Sequence, residues 1–178
     1  AQGVAYACAA MNIKGTIVMP KTAPLSKIEA TRSYGVEVEL QGDTFNDAYA
    51  YAKNLQEITG AVFIEPFDDE AVIAGQGTIG LEIIERMSDV DTVIVPIGGG
   101  GLISGIALAI KTLKPDCRVI GVQSENAASM KNSLEQKKII TLDSVSTIAD
   151  GIAVKTPGKL TYELCRQYVD EVVSVSEE

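Results

Sequence analysis

The chain has 178 residues, 46% of them hydrophobic and 22% charged, enough apolar material for one substantial core or two smaller ones. A net charge of −9, no basic run and only 5% aromatic residues exclude a nucleic-acid surface of clustered Lys and Arg with stacking rings, and make an acidic membrane surface an unfavourable partner. No apolar run approaches the roughly 20 residues that span a bilayer, and the absence of histidine excludes a Ser-His-Asp or Cys-His apparatus made from this chain alone.

The opening residues Ala1-Gln2-Gly3-Val4-Ala5-Tyr6-Ala7 show neither an initiating Met nor the features of a signal peptide, and read as the middle of a longer chain. Small apolar residues from Val4 to Met11 suit a closely packed helix ending at Lys14-Gly15. Thr16 to Met19, closed by Pro20, reads as a buried strand. Ser26-Lys27-Ile28-Glu29 has the form of a capping box, with a helix to Tyr34 and Gly35 as its stop. Val36 to Leu40 alternates as an edge-like strand, Thr44 to Thr59 carries apolar residues at helical spacing before Gly60, and Ala61-Val62-Phe63-Ile64 reads as a further strand.

The composition shifts at Glu65-Pro66-Phe67-Asp68, placing a domain boundary between residues 1–66 and 67–178. Asp68-Asp69-Glu70, at the start of a periodic stretch from Ala71 to Met87, suits helix capping better than metal binding. Strand Thr92 to Ile97, helix Leu102 to Leu113 and strand Arg118 to Gln123 follow. After Glu125 the order loosens: a helix over Ala127 to Leu134, an unpatterned stretch, and a loop at Asp150-Gly151-Ile152-Ala153-Val154. Helix Thr161 to Tyr168 and strand Glu171 to Val175 close the series. Alternating strands and helices predict an α/β fold of three-layer parallel-sheet units, with ligands at the carboxyl ends of the strands. Cys8, Cys117 and Cys165 are widely spaced, odd in number and without a C-x-x-C, which points to a reducing, cytoplasmic setting and no zinc site.

The most informative stretch is Val95-Pro96-Ile97-Gly98-Gly99-Gly100-Gly101-Leu102-Ile103-Ser104-Gly105, where a strand breaks into four glycines and opens an apolar helix. Residues without Cβ let successive N–H groups converge where the next helix presents its unpaired donors, which describes a phosphate cradle. Hydrogen bonds to a charged group contribute about 1.5–3 kcal/mol each, against roughly 0.3–1 kcal/mol from the helix dipole, so backbone donors dominate. The loop holds no Lys or Arg, and the nearest downstream is Lys111, so the phosphate anchors and does not react. Two other readings compete. One is a tightly packed turn with no ligand. The other is a dinucleotide site with Glu125 as the acid after the next strand, but G-x-G-x-x-G fails from Gly98, Gly99 and Gly100 alike.

The glycine stretch resembles the phosphate loop of the serine/threonine dehydratase family of pyridoxal-phosphate enzymes, which have fold type II. Ala1-Gln2-Gly3-Val4-Ala5, Pro24-Leu25-Ser26-Lys27-Ile28-Glu29-Ala30-Thr31-Arg32, Pro66-Phe67-Asp68-Asp69, Gly75-Gln76-Gly77-Thr78 and Ile148-Ala149-Asp150-Gly151 are similar to its further landmarks, in order along nearly the whole chain. The threonine ammonia-lyases of the family are nearest in pattern. The resemblance implies two domains of tryptophan-synthase-β-like architecture, both incomplete: residues 1–66 as part of the small domain and 67–178 as part of the large one.

It also implies that pyridoxal 5'-phosphate is held through its phosphate on Gly98, Gly99, Gly100, Gly101 and Leu102, with Gly151 beside the ring and Gln2 beside the substrate-carboxylate segment. For Gln2 a packing or capping role is the other reading. The family's Schiff-base lysine matches no lysine here and is expected upstream of Ala1, so the chain has no catalytic residue of that kind and is expected to be inactive by itself. The implied reaction of the longer protein is dehydration and deamination of L-threonine or L-serine to the 2-oxo acid and ammonia, within amino-acid metabolism such as isoleucine biosynthesis. Racemase or β-replacement chemistry on the same fold, or a non-catalytic phosphate-ligand module, are the alternatives. Some relatives bind a metal through an acid matching Glu125 and a second one, but Lys131 stands at the second position, so no metal is expected. A truncated chain exposes sheet edges and apolar surface, which favours a homo-oligomer.

Overall fold

Every residue from Ala1 to Glu178 is described by the computed structural model, and the chain divides between Ile64 and Glu65 into two units. The first contains α1 (Gln2–Met11), β1 (Thr16–Met19), α2 (Leu25–Arg32), β2 (Glu37–Leu40) and α3 (Phe45–Thr59). β1 and β2 pair in parallel, Ile17 opposite Val38 and Met19 opposite Leu40, with α2 as the crossover that a parallel pair requires. Ile17, Met19 and Ile28 form a small core, packed by Val4, Val36, Val38 and Leu40.

Helix ends explain where the sequence reading holds and where it fails. α1 stops at Asn12, which takes the left-handed conformation at φ 53°, ahead of the anticipated Lys14-Gly15. α3 is capped by Thr44: its hydroxyl accepts from the Asp47 amide at 3.2 Å while Asp47 accepts from the Thr44 amide at 2.9 Å, and Gly60 at φ 69° closes the helix. Ser26 does not cap α2. That helix already begins at Leu25 behind Pro24, whose ring holds φ at −54°, so Ser26 lies inside the first turn.

Ala61-Val62-Phe63-Ile64 is not a strand, because a four-residue apolar run needs a partner ladder and the sheet here consists of β1 and β2 alone. Val62 is 85% exposed. Phe63 instead sets its ring edge-on to Tyr49, with the Lys53 ammonium 3.9 Å from the Phe63 centroid.

The second unit contains α4 (Glu70–Arg86), β3 (Thr92–Pro96), α5 (Gly101–Leu113), β4 (Arg118–Ser124), α6 (Ser129–Glu135), α7 (Lys159–Tyr168) and β5 (Glu171–Val175), with 3-10 turns at Glu125–Ala127 and Asp150–Ile152. Its sheet runs β3-β4-β5, all parallel, with Val93 opposite Val119 and Val122 opposite Val173. The α/β class with parallel sheets is therefore the observed one. α5 buries Ile103, Ile106, Ala107 and Ile110, one face at helical spacing, in a core shared with Val93, Val95, Ile97, Val119 and Met130.

α4 lies directly on α5 because glycines remove the side chains between them. A Cβ on Gly105 would overlap the Ile73 carbonyl oxygen and sit 2.5 Å from the Gly77 nitrogen, and one on Gly80 would sit 3.0 Å from the Ile106 carbonyl oxygen. All three cysteines are free thiols, and burial pushes the Cys165 thiol up to about 12, against a smaller opposing effect of the Ser104 hydroxyl.

Asp170 ties β5 to the rest of the sheet. It accepts from the Val119 amide at 2.7 Å and from Lys111 Nζ at 2.9 Å, while its own amide donates to the Val119 carbonyl at 3.0 Å. Burial raises its pKa, but the hydrogen bonds from Lys111 and Val119 and the nearby charges of Lys111 and Arg118 outweigh that, so it lies below its usual 3.8.

Two outcomes follow for the full-length polypeptide. Gly105→Ala should lower stability by about 1–3 kcal/mol through overpacking at backbone, read as a lower urea midpoint at unchanged m-value. Asp170 has a depressed folded pKa, so its contribution is present above the unfolded value and is lost as pH falls through the folded one. Asp170→Asn should therefore flatten the stability profile below about pH 4. Parallel urea-midpoint profiles for wild type and variant across that range would remove the anchoring role.

Candidate phosphate-binding site

The glycine loop joins β3 to α5, with Gly100 at the N-cap of α5 in the left-handed region at φ 101°. Packing adds a second demand at each glycine. A Cβ on Gly99 would lie 2.5 Å from the Phe67 ring, one on Gly101 2.9 Å from Phe67 Cβ, and one on Gly100 2.8 Å from Thr161 Cβ and Met130 Cε. On Gly98 it would lie 3.1 Å from Ile152 Cα and 3.6 Å from the Gly151 carbonyl oxygen. The tightly packed turn and the donor-rich loop are thus features of the same residues.

Donors are available. The amides of Gly98, Gly99, Gly100, Gly101 and Leu102 reach no acceptor in the chain, although Gly99, Gly100 and Gly101 are buried. Buried backbone N–H groups are almost always paired, so such a run calls for an acceptor from outside the chain. Lys111 does not supply a cation here: its ammonium is bound to Asp170 and to the carbonyls of Cys117 and Pro115.

Gly151 sits in the 3-10 turn Asp150–Ile152 and is brought beside Gly98. Its φ is not positive, and a Cβ there would meet no atom of the chain within 4 Å. Nothing inside the chain therefore requires glycine at 151. Gln2 is the first residue of α1, exposed, and belongs to the first unit. Glu125 opens the 3-10 turn after β4, and Lys131, at the position where a second acid would be needed, donates to the Ser174 hydroxyl at 3.0 Å.

Four residues that shape the loop are not marked as such by the sequence reading. Phe67 packs on Gly99 and Gly101. Asp68 accepts from the amides of Lys159 at 2.9 Å, Leu160 at 2.9 Å and Thr161 at 3.1 Å, capping α7. Its neighbour Asp69 caps α4 through the Ala71 and Val72 amides, as the acidic run suggests. Thr161 Oγ1 donates to the Gly99 carbonyl at 2.6 Å, and Gln123 Nε2 donates to the Ile97 carbonyl at 3.1 Å. The only local signal for Asp68 is an aspartate more than one helix start can use. Thr161 and Gln123 carry none.

The second unit is thus a parallel α/β unit with a glycine loop of unpaired amides at the carboxyl end of a strand, an arrangement suited to anchoring a phosphate. The model of the pyridoxal-phosphate dependent enzyme family matches residues 1–178, and the chain belongs to that family. It is similar to the L-threonine ammonia-lyase of Thermotoga maritima, 57% identical over all of this chain and 44% of that protein. It is also similar to the L-threonine dehydratase catabolic TdcB of Escherichia coli, 56% identical over all of this chain and 54% of that protein. Among solved structures, maize serine racemase superimposes with a TM-score of 0.94 at 41% identity, covering 99% of this chain and 54% of the racemase. The chain thus has the fold of the fold type II pyridoxal-phosphate enzymes and spans about half the length of the curated relatives it matches.

Removing the Asp68 carboxylate should uncap α7 from outside its own sequence. Asp68→Ala is expected to cost about 1–2 kcal/mol in urea denaturation of the full-length polypeptide, in the range of other lost N-caps. A change within about 0.3 kcal/mol would show that α7 holds its start without Asp68.

Proposed function

We propose that the full-length polypeptide is a pyridoxal-phosphate-dependent ammonia-lyase that dehydrates and deaminates L-threonine, or L-serine, to 2-oxobutanoate, or pyruvate, and ammonia. The observation that carries the cofactor assignment is the run of five unpaired amides from Gly98 to Leu102 in a loop without a cation. Those amides, together with the start of α5, hold the phosphate as an anchor. Gly151, beside Gly98 and without an internal steric reason to be glycine, leaves room for the pyridine ring. Gln2 takes the place beside the substrate carboxylate. When bound, the cofactor supplies an electron sink for charge developing at the substrate α-carbon.

In this reading the first unit is part of the small domain and the second part of the large domain, and the lysine that bonds covalently to the cofactor lies upstream of Ala1. A cytoplasmic setting and a homo-oligomer belong to the same proposal, the latter supported by exposed apolar side chains such as Ile58, Ile94 and Ile148. The catabolic name of the E. coli relative favours a degradative role over one in isoleucine biosynthesis.

Serine racemisation is the second reading, favoured by the close superposition on maize serine racemase. The two separate cleanly. Incubated with pyridoxal phosphate and L-threonine or L-serine, the full-length polypeptide should release a 2-oxo acid detected as its hydrazone, with stoichiometric ammonia. Appearance of the D-isomer of serine without 2-oxo acid would replace the lyase by a racemase. Borohydride reduction followed by peptide mapping should place a pyridoxyl group on a lysine preceding Ala1, and a cofactor-free map would reassign the loop to another phosphate ligand.

A further inference from the structure

Three carbonyls at the loop are held by the surrounding fold. The Ile97 carbonyl accepts from Gln123 Nε2 at 3.1 Å, the Gly99 carbonyl from Thr161 Oγ1 at 2.6 Å and from the Gly158 amide at 3.2 Å, and the Gly100 carbonyl from the Ser104 amide at 3.0 Å. In a planar trans peptide the C=O of one residue and the N–H of the next point in opposite directions. Fixing those carbonyls therefore aims the amides of Gly98, Gly100 and Gly101 away from Gln123, Thr161 and the body of α5. Glycine itself imposes no such direction, since it tolerates many backbone orientations.

Thr161 is the member of this set best placed to act as a positioning residue. It is fully buried and β-branched, which restricts its χ1. Its amide is bound to Asp68 at 3.1 Å, and its carbonyl accepts from the Ser104 hydroxyl at 3.4 Å. A side chain held on both sides by its own backbone then holds Gly99 with a hydroxyl that has a single acceptor. Gln123, also fully buried, is similarly committed: Nε2 also donates to the Ala127 carbonyl at 3.1 Å, and Oε1 accepts from the Lys131 amide at 2.9 Å.

We infer that Thr161 is a positioning residue for phosphate recognition, its hydroxyl fixing the Gly99–Gly100 peptide so that the Gly100 amide faces the phosphate. The inference rests on the phosphate-anchoring role given to the loop under the proposed function. It assigns no contact between Thr161 and the cofactor; the hydroxyl acts through the Gly99 peptide.

The test compares the affinity of the full-length apoprotein for pyridoxal 5'-phosphate with that for pyridoxal, which keeps the ring and the aldehyde and lacks the phosphate. The ratio isolates phosphate recognition, because covalent attachment through the aldehyde is common to both. Thr161→Val should lower the ratio about tenfold, the loss of one well-aimed hydrogen bond to a charged group, while leaving pyridoxal affinity unchanged. Thr161→Ser, which restores the hydroxyl, should recover most of the ratio. Thr161→Ala removes the same hydroxyl without adding a contact and is measured alongside, so an unfolded valine variant does not end the test. A wild-type ratio retained in the valine or alanine variant overturns the positioning role. A wild-type ratio near one overturns the phosphate-anchoring reading itself, and the inference with it.

Discussion

A planar peptide has two polar ends, and holding one decides where the other points. The second unit is arranged around that constraint at the loop between β3 and α5. Side chains from β4 and α7, and the first turn of α5, take the carbonyls of Ile97, Gly99 and Gly100, and the amides that follow them are left without partners inside the chain. The glycines permit this because the holding groups come very close. With Phe67, Thr161 and Met130 against the loop, a Cβ at positions 99 to 101 would strike a neighbour, and one at Gly98 would be tightly packed on Ile152. Close packing and a run of unpaired amides are therefore two consequences of one geometry.

The next level of support is the dipeptide Asp68-Asp69. Adjacent carboxylates cap different helices, Asp69 the helix that follows it and Asp68 one that begins 91 residues later. A charged acceptor on backbone amides contributes about 1.5–3 kcal/mol, more than the roughly 0.3–1 kcal/mol from a helix dipole alone, so position at the amides matters more than general proximity. Gly158, immediately before α7, is closed to a side chain because Asp68 already occupies that space. With α7 fixed in this way, both the Thr161 hydroxyl and the Gly158 amide reach the Gly99 carbonyl, and the capping interaction is transmitted to the loop through them.

Much of this was legible in the sequence, and the part that was not has a common cause. Gly60 as a stop and the strand-glycine-helix transition are local patterns found where the pattern places them, as is the alternation of helices and strands apart from Ala61 to Ile64. Ser26 misled because Pro24 starts its helix earlier, a conflict between two local signals in which the fixed φ of proline prevailed. Ala61 to Ile64 misled because a strand requires a partner and no pattern within four residues reports one. Phe67, Asp68, Gln123 and Thr161 escaped for the same reason on a larger scale: what they do is decided by residues far away in the chain. The glycines announced that something approaches closely. They did not say what holds the backbone in direction.

A backbone anchor also explains how one fold accommodates different reactions. Main-chain amides have no pKa in the working range, the loop holds no Lys or Arg, and Lys111 further along α5 is bound to Asp170. Under the proposed function, the loop thus places a cofactor without favouring one fate of the substrate over another. That agrees with the spread of the family, whose members similar to this chain include threonine ammonia-lyases and a serine racemase on a common scaffold. Elimination and racemisation differ in what happens after the α-proton is removed, a choice made by groups that face the substrate. In the proposed function, residues that aim the phosphate donors act upstream of that choice, so their effect falls on cofactor retention whichever reaction is performed.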